Sequence, residues 1–282
     1  MPSISEEIEA ISRITRAILF PPFEWCQVVV GVARLEAASA NGGTPGGEYR
    51  VSEFAISKYP VTNVQYQKFL KAADGFANPA WWDLSPQAAR CRLDHPRPKP
   101  TAFPGDDLPR TRVSWFDSLA FCHWLSAGLA RRLDGTLPDA SDITTWQVRL
   151  PTEQEWHRAA LGDRGWSFPW DDELDERRGN FGNQVGRTSP VGSYPDGASP
   201  FGALDMVGNV WEWCLSAWGR EEIDASGYTY RAIRGGAWNV SGPQHLRPAD
   251  RGGNSPRGQL NDAGFRCIYI EEPLYITGRL SQ

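Results

Sequence analysis

Between Gly165 and Ile270 the chain offers turn residues and short β-prone runs, but no stretch that reads as a long helix. So much irregular backbone ordinarily argues against a compact domain. The fold must therefore hold loops in place, and the tryptophans supply the means. The sequence carries 13 of them, beside 28 glycines and 22 prolines. Large rings pin loops from inside while Gly and Pro shape the turns, so core packing is the default role of most of these tryptophans. At 282 residues the chain is long enough to bury such a core without disulfide staples.

The first half is more regular. Ile4, Ile8, Ile11, Ile14 and Ile18 recur at helical spacing and predict an amphipathic helix over 3–19. Ser3 and Glu6 are spaced as a capping box, Arg13 and Arg16 lie on or near the other face, and Pro21-Pro22 ends the helix. Such a stripe reads first as a helix docked on the domain, and second as a surface for a partner or for self-association. Residues 23–36, with the run Val28-Val29-Val30, and a strand near 49–57 resemble a hairpin across the Gly-rich loop 41–47. Thr62, Ser114 and Thr152 each open a helix, the first running through Ala73, and residues 74–112 read as irregular and Pro-rich. The organisation expected is an N-terminal helix, 1–22, followed by one domain over 23–282.

Charge and composition exclude several functions. The net charge of -5 and the scattered arginines argue against a nucleic-acid partner. No apolar run is long enough for a membrane span, and residues 1–20 lack a secretory signal, so a soluble cytoplasmic protein is expected. Cys26, Cys91, Cys122, Cys214 and Cys267 are odd in number and form no CxxC pair; they read as buried hydrophobes. His95, His123, His157 and His245 form no HxxxH cluster, and His123 sits in an apolar helix as a core residue. P-loop, dinucleotide and Gly-x-Ser-x-Gly signatures do not occur.

Several phrases follow in a fixed order: Tyr59-Pro-Val-Thr-Asn63, Val113-Ser-Trp115, Arg149-Leu-Pro-Thr-Glu-Gln-Glu-Trp156, Ser189-Pro-Val-Gly192, Gly208-Asn-Val-Trp-Glu-Trp213, Arg234-Gly-Gly-Ala-Trp238 and Gly264-Phe-Arg266. Over roughly 23–270 the chain resembles the formylglycine-generating enzyme (sulfatase-modifying factor) family. That resemblance implies an α+β, C-type-lectin-like fold with little regular secondary structure and a loop-rich C-terminal half. The residues agree with it. Trp211 and Trp213 alternate onto one strand face with Glu212 on the other. Gly235-Gly236 suits a sharp turn. Arg149, Glu153, Glu155, Arg234 and Arg266 are expected to form internal ion pairs, because buried charges are normally paired.

The family's enzymes oxidise a substrate cysteine with oxygen, using copper held by two cysteines after the Arg-Gly-Gly phrase. Thiolates are the soft ligands copper(I) needs. Here those places hold Val240 and His245. Another branch holds iron through a histidine cluster in an added helical domain, for which this chain shows no counterpart. From these departures the chain is expected not to be an enzyme. The alternative is a family relative with altered or lost activity, acting as enzyme or accessory subunit. No resident cofactor is expected, with calcium the one alternative: the resemblance implies a site at Asn209 and Glu212, whose side chains are oxygen ligands of a suitable kind. Asn180 and Asn183 stand near the family's other calcium site, without the acidic residue expected downstream.

The region 234–266 resembles most closely the variable region of proteins diversified by retroelements. In those, an asparagine-rich template is copied with errors at adenine. Val240, Ser241, Gly242, His245, Asp250, Gly252, Gly253, Gly258, Leu260 and Asp262 are all reachable from AAC codons by adenine changes, while Pro243, Leu246, Arg247, Pro248, Arg251, Ser255 and Pro256 keep the expected framework. With Trp238 and Arg257 these positions form the expected ligand face, on the principle that loops on a rigid scaffold carry recognition. The ligand expected is a protein or other macromolecule. The sequence specifies neither its identity nor the oligomeric state.

Overall fold

A computed structural model describes residues 4–37, 46–133, 137, 139, 141–219, 223 and 226–271. Ser3 of the expected capping box and residues 41–45 of the Gly-rich loop lie outside the described residues. The elements are α1 (Ile4–Ile18), β1 (Trp25–Val28), β2 (Gly31–Leu35), β3 (Gly47–Val51), β4 (Phe54–Ser57), α2 (Asn63–Lys71), α3 (Pro86–Asp94), α4 (Trp115–Ala130), β5 (Val148–Arg149), α5 (Glu153–Leu161), β6 (Trp211–Ala217), β7 (Arg231–Arg234), β8 (Gly252–Asn254), β9 (Ala263–Gly264) and β10 (Ile268–Tyr269). The mixture of helices, short strands and long loops is the α+β architecture the sequence predicts.

Three sheets organise the chain. One has the order β1-β4-β10-β5, a second is the β2-β3 hairpin, and the third has the order β8-β7-β6-β9. The hairpin expected over 23–57 is thus two nested pairings, β1 with β4 and β2 with β3. The break falls at Val29 and Val30, which are exposed rather than buried in a strand. Its cause is a close approach: the Arg158 guanidinium donates to the carbonyls of Val29 and Val30. A Cβ at Gly31 would sit 2.2 Å from that guanidinium carbon, so a side chain there would push Arg158 off these carbonyls.

The helices begin where local chemistry dictates. Thr62 and Gln65, Ser114 and Asp117, and Thr152 and Glu155 each close a reciprocal capping box, satisfying two otherwise orphaned N–H groups per helix. Helix α3 interrupts a stretch read as irregular. Its Ser85 side chain accepts from the Ala88 N–H, and Pro86 occupies the first turn, where a missing N–H costs nothing.

Helix α4 is buried along its whole length, as a helix apolar all round must be. It carries Trp115, Phe121 and Leu125 into a core shared with Tyr66, Phe69, Trp213 and Phe265. Helix α1 lies on this core, with Ile11 buried, Ile8, Ile14 and Ile18 half-buried against it, and Arg13 and Arg16 exposed. Two tryptophans lock the start of α4 to β6 crosswise. The Trp115 Nε1–H donates to the Cys214 carbonyl at 2.8 Å, and the Trp213 Nε1–H donates to the Val113 carbonyl at 3.1 Å. None of the helices among the described residues is long and apolar enough to cross a membrane.

Candidate functional site

The segment 234–266 enters from β7 and leaves through β9. Its scaffold is a set of buried ion pairs that join distant loops. Arg266 donates to both oxygens of Glu212, at 2.6 and 2.7 Å, and neither side chain is exposed. The same Arg266 donates to the carbonyls of Ser57, Lys58 and Leu204, and the Trp156 Nε1–H donates to Glu212 at 2.6 Å. Arg149 grips Glu155 with two bonds of 2.7 Å. Arg251 does the same to Glu153, which also faces Arg234 at 3.7 Å. The paired charges expected from the sequence are therefore present, with Arg251 an added partner.

On this scaffold the loop backbone is tied down at intervals. Trp238 N–H donates to the Asn209 carbonyl, and Asn183 N–H donates to the Trp238 carbonyl. Gly182 N–H donates to the Val240 carbonyl, Arg112 N–H to that of Leu260, and Trp211 N–H to that of Asp262. Trp115 N–H, in the first turn of α4, donates to the Pro256 carbonyl. Leu246, Pro248 and Pro256 are buried.

The candidate positions all reach solvent. Ser241 and His245 are exposed; Trp238, Val240, Gly242, Asp250, Gly252, Gly253, Arg257, Gly258, Leu260 and Asp262 are half-buried; none is buried. They form groups along one segment. The Asn239 side chain donates to Asp262 at 3.1 Å, joining the two ends. Trp238 packs edge-on against Phe103, and its own ring N–H has no acceptor among the described residues. His245 Nδ1 lies 3.2 Å from an Asp250 oxygen. Arg257 pairs with Asp94 at 2.7 Å and lies over the Tyr228 ring.

Gly252 and Gly253 form edge strand β8 against β7. A Cβ at Gly253 would lie 2.6 Å from the Trp218 ring, so any side chain there must displace that indole. Phe103, Trp218 and Tyr228 border the candidate face and escape sequence reading, because each arrives from a remote part of the chain and leaves no local signal.

Asn209 and Glu212 do not fit a calcium ion as arranged. Both Glu212 oxygens are taken by Arg266, with Trp156 donating to one of them, so a cation would have to displace a buried guanidinium. The Asn209 side-chain oxygen accepts the Ser189 N–H at 3.1 Å, and its amide donates to Ser189 and Asp205. A copper ligand pair is equally unsupported at Val240 and His245, since valine offers no donor atom.

Asp205, beside Asn209, is the perturbed carboxyl of this region. Burial raises its pKa from 3.8 to about 6, against the lowering effect of the Gly192 N–H, which donates to it at 3.2 Å. The folded protein therefore holds this proton more tightly than the unfolded chain. Its contribution to stability is full below about pH 4 and is lost as pH rises through about 6. Compared with Asp205→Asn, the wild type should lose melting temperature between pH 4 and pH 7; a difference curve that is flat over this range would contradict the assignment. His157 behaves oppositely. Burial beside Arg234 and Arg251 lowers its pKa to about 3, so its contribution is lost as pH falls below 6.5, and comparison with the Asp205 variant cancels that term.

A domain model described as sulfatase-modifying factor enzyme 1-like matches residues 25–270. The chain is 31% identical over 276 residues to hercynine oxygenase of Mycobacterium tuberculosis, an alignment covering 86% of this chain and 58% of that protein. It is 29% identical over 268 residues to inactive C-alpha-formylglycine-generating enzyme 2 of Mus musculus, covering 80% and 78% of the two chains. Among solved structures, Treponema denticola variable protein 1 superposes with a TM-score of 0.60 at 20% identity, covering 88% of this chain and 95% of that one. PvdO from Pseudomonas aeruginosa does so with a TM-score of 0.60 at 23% identity, covering 86% and 92%. The chain thus spans less than two thirds of the hercynine oxygenase it matches.

These relatives correct one expectation. The missing cysteine pair suggested that the chain is not an enzyme, yet it matches proteins named hercynine oxygenase at about the same level across several species. Loss of one ligand pair removes one chemistry and leaves others open to the same scaffold.

Proposed function

Because this chain belongs to the sulfatase-modifying factor enzyme 1-like domain family, we propose that it is a family protein of altered chemistry that engages a macromolecular ligand on the surface of residues 238–262. One observation carries the reading: no candidate position is buried, while three of the seven framework residues between them, Leu246, Pro248 and Pro256, are. Backbone bonds hold the segment's course, so its side chains are spared for contact. The unpartnered Trp238 ring N–H and the half-buried indole of Trp218 add the rigid aromatic area that recognition surfaces use.

Within this reading, the positions are those rewritten by a retroelement. Sequencing the DNA around the gene tests this. The expected result is a near-copy of codons 234–266, differing almost only at adenines, beside a reverse transcriptase gene. A survey of many isolates in which these codons never vary would overturn it.

A second reading rests on the likeness to hercynine oxygenases and on the His245–Asp250 pair. A carboxylate at Nδ1 favours the tautomer that leaves Nε2 free to accept a proton, the arrangement of a general base. Purified protein given hercynine and a thiol should then consume oxygen, and His245→Gln should suppress that uptake. Equal uptake by wild type and variant would remove His245 from the chemistry.

A further inference from the structure

Away from the candidate surface, the end of α1, the outer face of α2 and the end of α4 enclose an open groove of about 950 Å³. Its apolar lining includes Ile18, Val64 and the largely buried Trp124, with the exposed Phe20 ring at its side. Its rim is basic. Lys68 and Lys71 follow Val64 at helical spacing along α2, which places all three on one face. Arg132 faces the groove from the end of α4.

The charges do not cancel. Arg131 is paired with Asp74 at 2.8 Å. Among the described residues no ion pair engages Lys68, Lys71 or Arg132, and Asp106 is the one remaining carboxylate in the lining. Lys68 is held 3.4 Å above the Phe20 ring, so its ammonium stays over the apolar side of the groove. This basic pole stands out on a chain whose net charge is -5.

We propose that this groove docks an acidic amphipathic helix of a partner protein. An α-helix with its side chains is about 10–12 Å across, so a concave site of this volume accepts the apolar face of a few turns. These three cations, of which Arg132 also donates to the Gly128 carbonyl, then meet carboxylates on the helix flanks, where complementary charge sets partner choice. A flat bilayer does not reach the apolar floor of a concave site, so an anionic membrane is the poorer match.

The test uses the full chain and two labelled amphipathic peptides that share a leucine face and carry either glutamates or lysines on the other. Fluorescence anisotropy should show the glutamate peptide binding at least about tenfold more tightly. The triple variant Lys68→Glu, Lys71→Glu, Arg132→Glu should reverse that preference with little change in melting temperature, since the three side chains are solvent-accessible. Ser241→Asn and His245→Asn should leave the affinity unchanged, which separates this site from the 238–262 surface. Absence of binding by either peptide, or equal binding by both, overturns the proposal. So does stronger binding to phosphatidylserine vesicles with the same dependence on the three cations.

Discussion

Glu212→Ala should destabilise the protein by about 3–5 kcal/mol, because it leaves the Arg266 guanidinium buried without its counter-ion. Three backbone carbonyls would still accept from Arg266, which keeps the loss from being larger. The Trp156 ring N–H would lose its acceptor as well. Urea unfolding should show a lower midpoint with an unchanged slope, the signature of a stability change alone. A loss under about 1 kcal/mol would mean that the pair is dispensable, as exposed pairs are. The substitution matters beyond stability: Glu212 and Arg266 tie β6 to the end of β4 at Ser57 and to the loop at Leu204, and β6 carries the sheet from which the candidate segment projects.

Trp213→Ala should cost a similar amount, about 3–5 kcal/mol, by emptying the volume of a fully buried ring. It also leaves the Val113 carbonyl without its donor, one residue before the Ser114 cap of α4. Trp213→Phe keeps most of the packing and loses the hydrogen bond, so a smaller loss of about 1–3 kcal/mol is expected. The double variant with Trp115→Phe should depart from additivity, because the two indoles bridge the same elements in opposite directions. Strict additivity in the thermodynamic cycle would show that the crosswise bonds act independently.

What was legible in the sequence follows the range of the forces involved. Helix starts at Thr62, Ser114 and Thr152 are readable because a cap and its partner lie three residues apart. The start of α3 carried the same kind of signal at Ser85-Pro86, hidden within a Pro-rich stretch. Beyond the 23–57 hairpin, sheet pairings were not legible. Strand β10 inserts between β4 and β5, and β9 runs parallel to β6 over a two-residue register; neither leaves a periodic trace in so short a strand.

The same contrast holds at the site. Candidate positions stand out by their departure from a framework within one segment. The partners of that segment come from afar: Arg251 meets Glu153, Arg257 meets Asp94, and Trp238 meets Phe103. The calcium alternative at Asn209 and Glu212 shows the limit of reading residue type alone. Both residues are oxygen donors, but the fold has already assigned those oxygens to Arg266, Trp156 and Ser189.

If the fold leaves the 238–262 side chains free for recognition, as proposed, replacing them should hardly move a thermal melt. The variant to make replaces Ser241, His245, Asp250 and Leu260 together with asparagine, and keeps Val240, which packs against the cluster around Phe181 and Leu246, and Asp262, which accepts from Asn239. Gly242, with its φ of 102°, and Gly252 and Gly253, where a Cβ would crowd Ile233 and Trp218, keep their glycines. Surface positions away from structural features change stability by about 0.5 kcal/mol or less each, so the variant should melt cooperatively within about 5 °C of the wild type. A fall of about 15 °C or more, or a broad non-cooperative melt, would show that these side chains hold the fold together, and the recognition surface would have to be sought elsewhere.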